Sequence, residues 1–176
     1  MIGLQRGTVK LESHHPAWAE EFSQEKRRLE KVFGDLASAI EHIGSTAVPG
    51  LPAKPVIDIA VAVNNWDLRK RWREDLAKLG YFEKPDDPKA DIRLFFIKGP
   101  EECRTHYLKI APLGSGYVKE VVLFRDRLKE HPELRAKYAE LKKELTKEFS
   151  RQRAYYTERK NEFIKGVLVG RSSDNI

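Results

Sequence analysis

The residues best suited to chemistry lie between Ile40 and Val63, in the stretch IEHIGSTAVPGLPAKPVIDIAVAV. Gly44, Ser45 and Thr46 form a turn of small residues, whose backbone amides can approach an anion closely and hold a phosphate. Asp58 follows in a run of Val56, Ile57, Ile59, Val61 and Val63. That β-branched pattern predicts a strand covered on both faces, inside a sheet. A carboxylate left unpaired there would be costly. Asp58 therefore has a cationic partner, with Lys54 and Arg93 as candidates, or sits at a strand end facing a cleft, or holds a metal, and the last two readings are functional.

The elements that must position these residues can be read on either side. Pro16 to Phe33 predicts a helix with Pro16 in its first turn and Trp18, Phe22, Leu29 and Phe33 on one face. His14 and His15 precede it as incidental loop histidines rather than ligands. Leu36 to Ile43 predicts the first strand, and the three prolines and one glycine from Ala47 to Pro55 predict a stiff, ordered loop leading to the Asp58 strand. From Asn64 or Asn65, a natural cap, a helix is expected through Leu68, Trp72, Leu76 and Leu79 to Gly80. A short extended segment, Tyr81 to Glu83, and a turn from Pro85 to Pro88 come next. Two antiparallel strands, Ile92 to Lys98 and Arg104 to Ala111, are then expected across a short Gly99-Pro100 connection. The two-residue period puts Arg93, Phe95 and Ile97 on one face of the first, and His106, Leu108 and Ile110 on one face of the second.

Beyond Gly116 the pattern is helical. Tyr117, Val121, Phe124 and Leu128 mark one helix, and Leu134, Tyr138, Leu141, Leu145 and Phe149 mark a second that restarts at His131-Pro132. Tyr156, Phe163 and Val167 mark a third, with Lys160 on the same stripe, where it either snorkels past the apolar face or reaches a phosphate. The tail from Gly170 to Ile176 is expected to fray.

At 176 residues the chain suits a single domain with a real core, helical from about residue 117 onward. No apolar run approaches the roughly 20 residues of a membrane span, and the amino terminus lacks a signal-peptide layout, so a cytoplasmic protein is expected. One cysteine, Cys103, excludes an internal disulfide and a thiolate zinc cluster, and reads as a bland strand residue. The net charge of +6, from 33 basic and 27 acidic residues, favours anionic partners.

The segments IEHIGSTAVPG, AKPVIDI, RTHYL and FRDRLKEHPELRAKYAELK, in this order from near Val9 to about Leu168, resemble the GrpB family. That family is similar in turn to polymerase-beta-like nucleotidyltransferases. The resemblance implies an α+β fold, a nucleotidyltransferase-like mixed β-sheet packed with helices and extended by C-terminal helices. It also implies a nucleoside triphosphate bound with Mg2+ or another divalent cation, and a nucleotidyl group passed to a small acceptor. In the superfamily pattern Ile43-Gly44-Ser45 and Asp58 match, whereas the second strand acid falls at Ala60. Two strand carboxylates would hold the magnesium ions, which demand nearly octahedral oxygen coordination. Glu41 is the candidate replacement, and with Asp58 would hold the cation. His106 is the candidate base or ligand. Gly44, Ser45 and Thr46 would cradle phosphate, and Arg93 or Lys160 would offset its charge.

Ala60 motivates a second reading, a catalytically inactive module that binds a nucleotide or another phosphorylated metabolite. A third, an RNA-binding or partner-binding domain, draws on Lys137, Lys142, Lys143 and Lys147. Their alternation with Glu140, Glu144 and Glu148 instead reads as solvated helix surface, which argues against nucleic acid.

Overall fold

A computed structural model describes residues 2–85, 87–149 and 153–170. The described residues form one mixed sheet of five strands in the order β1-β2-β5-β4-β3. These are β1 (Ala37–Ile43), β2 (Ile57–Val63), β3 (Tyr81–Glu83), β4 (Leu94–Lys98) and β5 (His106–Pro112). The strand carrying Asp58 is internal, as its β-branched run predicts. It pairs antiparallel with β1 and parallel with β5. Every other residue of β2 is buried.

Period two sorts the side chains of β2 and β5 onto two faces. On one, Ile57, Ile59, Val61, Leu108 and Ile110 pack against Trp18, Leu29 and Phe33 of α1 (Ala17–Phe33) and Trp72 and Leu76 of α2 (Trp72–Lys78). On the other, Ile43, Ala60, Ala62 and Ala111 meet Tyr117 and Val118 of α3 (Tyr117–Glu130). Small side chains there let α3 lie close to the sheet. The far half of α3 supplies Phe124 and Leu128 to a second core, with Tyr138 from α4 (Pro132–Glu148) and Phe163 and Val167 from α5 (Arg153–Leu168). Val48 and Leu51, both fully buried, insert from the proline-rich loop into that helical core. This loop therefore joins the sheet to the C-terminal helices.

Several local expectations change. The helix expected from Asn64 or Asn65 is split into a 3-10 turn, Trp66–Lys70, capped by the Asn65 side chain accepting from the Asp67 amide at 3.1 Å, and the short α2. Its apolar face is as expected, with Leu68 and Leu79 packed on the same core as Trp72 and Leu76. The β4–β5 connection is not a two-residue turn. It runs from 99 to 105, because Arg104 pairs with Leu4 in an isolated bridge, and Cys103 lies in it rather than in a strand. His15 Nδ1 accepts from the Ala17 amide at 3.1 Å, and His14 lies edge-on to Trp18, so both histidines organise the start of α1. The predicted turn at 85–88 includes position 86, and the tail includes 171–176, which lie outside the described residues. Among the described residues no helix is long and apolar enough to cross a membrane.

Candidate functional site

The Gly44 turn and Asp58 are brought together at the ends of adjacent strands. The last residue of β1, Ile43, pairs with Asp58, so the chain turns over that carboxylate as it leaves the sheet. Gly44 has φ 71° and ψ −172°, a combination essentially confined to glycine. A Cβ on Gly44 would stand 2.9 Å from Asp58 Oδ2. Glycine is required here both for the dihedral angles and for the close approach.

The second oxygen of Asp58 has a partner that was not among the candidates. Lys109 Nζ donates to Asp58 Oδ1 at 2.6 Å. Parallel pairing sets Lys109 beside Ala60, on the same face as Asp58, and the ammonium also lies 5.5 Å from the Phe95 ring centroid. Burial works against the Lys109 charge, but Asp58 and Tyr117 outweigh it and hold its pKa above the ordinary lysine value. Neither Lys54 nor Arg93 supplies the pairing cation.

Glu41 stands where a replacement acid would be useful, directly across from Ala60. Arg125 of α3 takes it, donating to Glu41 Oε2 at 2.6 Å and to the His42 carbonyl at 2.9 Å. Arg93 is on the Asp58 face too, since Phe95 pairs with Lys109 across β4 and β5. Its guanidinium grips Asp87 through two hydrogen bonds of 3.0 and 3.1 Å and also donates to the Tyr117 hydroxyl. Thr46 turns inward, its hydroxyl 3.0 Å from His42 Nε2. Of the turn residues, Ser45 is the one whose hydroxyl bears on the helical side, against Tyr138.

His106 does not join this group. It belongs to the face covered by α1, buried edge-on to Tyr81, with Nδ1 3.0 Å from the Thr105 hydroxyl and Nε2 without a partner. Desolvation lowers its pKa to about 4, only partly opposed by Glu25. Alternation along β5 is the reason: Lys109 and His106 have opposite parity, so the strand that delivers one to Asp58 turns the other away. The expected role of His106 as base or ligand beside Asp58 is corrected accordingly.

A divalent cation does not fit the donor set. Among the described residues no three His, Cys, Asp or Glu side chains converge as a metal site would require. A magnesium ion bound to Asp58 Oδ1 at about 2.1 Å would lie about 4 Å from the Lys109 ammonium. At that separation charges of two and one repel by about 8 kcal/mol for an effective dielectric constant of about 20. Ala60, where the second acid of the pattern would stand, is fully buried against α3.

A second cluster lies across the proline-rich loop. Lys142 of α4 is 1% exposed and donates to the Pro52 carbonyl, with its ammonium 4.9 Å from the Tyr138 ring centroid. Lys54 and Lys160 each lie over the Tyr156 ring, at 4.6 and 5.1 Å. Burial first, then the charges of Lys160 and Lys54, lower the Lys142 pKa to about 6. Burial raises the Tyr138 hydroxyl well above its ordinary value, with Tyr156 adding to the shift and Ser45 opposing it. Lys160, singled out in sequence, thus has two lysine companions. Lys142 is no surface residue; its Glu and Lys neighbours in sequence concealed it. Lys109 and Arg125 belong to no local motif, although the period-two pattern of β5 does place Lys109 opposite to His106.

The family profile described as GrpB protein matches residues 8–169. The UPF0157 protein YqkA of Bacillus subtilis (strain 168) is 36% identical over 157 residues, covering 89% of this chain; the chain spans only 45% of that protein's length. The crystal structure of the conserved protein GrpB from Enterococcus faecalis superposes with a TM-score of 0.75 at 28% identity, covering 90% of this chain and 99% of that one. A structure of the Cid1 poly(U) polymerase bound to MgATP aligns with a TM-score of 0.52 at 12% identity, covering 77% of this chain and 44% of that one, a likeness of fold alone.

Proposed function

The chain belongs to the GrpB family and has a nucleotidyltransferase-like fold, and from that premise we propose that it binds a nucleoside triphosphate or another phosphorylated metabolite by its phosphate chain, without catalysing transfer. The observation that carries this reading is the convergence of Lys54, Lys142 and Lys160 on Tyr138 and Tyr156, next to the Ser45 turn. Burial, and then the nearby charges of Lys160 and Lys54, disfavour the protonated form of Lys142, as its low pKa reflects. A polyphosphate supplies the negative charge that favours the protonated form of Lys142 and accepts charge-assisted hydrogen bonds from it. Gly44 and Ser45, in the turn beside Tyr138, would offer backbone and hydroxyl donors to the same phosphate chain. The Cid1 structure, solved with MgATP, offers a ligand of the same chemical class.

Ala60 and the Lys109 partner of Asp58 favour binding over transfer, because in-line phosphoryl chemistry relies on oxygen ligands that position metal ions. Calorimetric titration with ATP, GTP, CTP and UTP, run beside a pyrophosphate-release assay over a panel of small acceptors, tests the reading. Binding without release, weakened at least tenfold in Lys142→Met, is expected. Pyrophosphate release with any acceptor would replace the module with the transferase, and absence of binding by all four nucleotides and by inorganic triphosphate would overturn both.

A further inference from the structure

We propose that Lys109 is a built-in replacement for a divalent cation, so that the site receives its phosphorylated ligand as the metal-free anion. The metal-free form of the ligand rests on the proposed function, and the Asp58–Lys109 pairing does not depend on it. Three independent features converge. The parallel register of β2 with β5 carries Lys109 to the strand position next to Ala60, from which its ammonium reaches Asp58 Oδ1 at 2.6 Å. The other oxygen of Asp58 faces the Gly44 α-carbon, with no room between them even for a methyl group. The carboxylates nearby are each held by an arginine, Glu41 by Arg125 and Asp87 by Arg93.

An ammonium differs from a metal ion in what it can do. It supplies one positive charge and up to three directed hydrogen bonds, one of which already goes to Asp58, and it offers no coordination positions for aligning two oxygens. Such a group can attract a phosphate but cannot mount the attacking and leaving oxygens on a common centre. Lys109 Nζ lies over the Phe95 ring and feels the Tyr117 hydroxyl, so it is held in place by aromatic neighbours as well as by Asp58. A cation entering this site would have to displace it.

The test is a manganese titration of the full chain followed by electron paramagnetic resonance, without nucleotide, beside calorimetry of ATP in excess EDTA and in excess magnesium. The wild type is expected to hold no manganese tightly, and its ATP affinity in EDTA to equal or exceed that in magnesium. Lys109→Glu, which sets a second carboxylate beside Asp58, is expected to bind manganese at least tenfold more tightly than the wild type. Should that variant fail to fold by circular dichroism, Lys109→Gln replaces it, with a smaller gain expected. Stoichiometric, tight manganese binding by the wild type overturns the proposal, as does an ATP affinity reduced tenfold or more by EDTA. If ATP binds under neither condition, the phosphate-ligand reading fails, and the manganese result still decides the role of Lys109.

Discussion

Removing the Lys109 ammonium isolates Asp58 in the sheet, and the cost can be worked from the geometry. Breaking a buried ion pair by deleting one partner typically costs about 3 to 5 kcal/mol, because the remaining charge has lost its compensation. The side chains of Asp58 and Lys109 are 25% and 17% exposed, so water reaches part of each group, and about 2 kcal/mol is the appropriate expectation for Asp58→Asn or Lys109→Met alone. For a protein of this size that corresponds to a fall in melting temperature of about 4 to 8 °C. The double variant leaves neither charge stranded and is expected to cost little more than either single change, giving a coupling energy of about 1 to 2 kcal/mol. Urea denaturation of the wild type, both singles and the double, monitored by far-ultraviolet circular dichroism, measures all four corners of the cycle. Additive effects, with coupling under about 0.5 kcal/mol, would refute the claim that the Lys109 charge is committed to Asp58.

His42 and His106 each have a pKa lowered to about 4, chiefly by desolvation; the unfolded chain binds their protons first, so stability is full above about pH 6.5 and falls toward pH 4, by about 3 kcal/mol per histidine. Urea midpoints that stay level from pH 7 to pH 4.5 would contradict this. Lys142→Met is expected to raise stability at pH 7 while weakening nucleotide affinity, and to remove a wild-type rise in stability of about 1 kcal/mol per pH unit between pH 7 and 10, where the unfolded chain holds the lysine proton that the folded chain has lost; an unchanged slope would sink the assignment. Gly44→Ala is expected to cost about 2 kcal/mol from dihedral strain alone, with an additional cost from its contact with Asp58, and an unaltered melting temperature would show that the turn can be rebuilt.

Local patterns made some of this legible in the sequence. The β-branched residues Val56, Ile57, Ile59, Val61 and Val63 around Asp58 announce an internal strand, and the apolar period of residues 16–33 announces the helix that covers one face of it. The pairing of β4 with β5 also follows from their patterns. What could not be read is the partnership between distant elements. Asp58 and Lys109 meet only because β2 and β5 pair in parallel across a long connection containing α2, β3 and β4, and no local signal encodes that register. The apolar residues of β5 share their face with His106, whereas the side chain of consequence lies on the alternate face. Lys142 is concealed for a related reason. Its sequence neighbours Glu140, Lys143 and Glu144 look like solvated surface, yet Tyr138 and Leu145 on the same helix turn toward the core. Lys142, between them, is carried to Pro52 and toward Lys54 and Lys160.

A crystal structure grown with ATP and manganese, with anomalous diffraction recorded above the manganese edge, decides whether Asp58 holds a metal ion or Lys109. Phosphate oxygens are expected between the Ser45 turn and Lys142, with Lys109 still on Asp58 and no anomalous peak within coordination distance of either Asp58 oxygen. A manganese ion on Asp58, with Lys109 turned away and the phosphates gathered around the metal, would contradict that expectation.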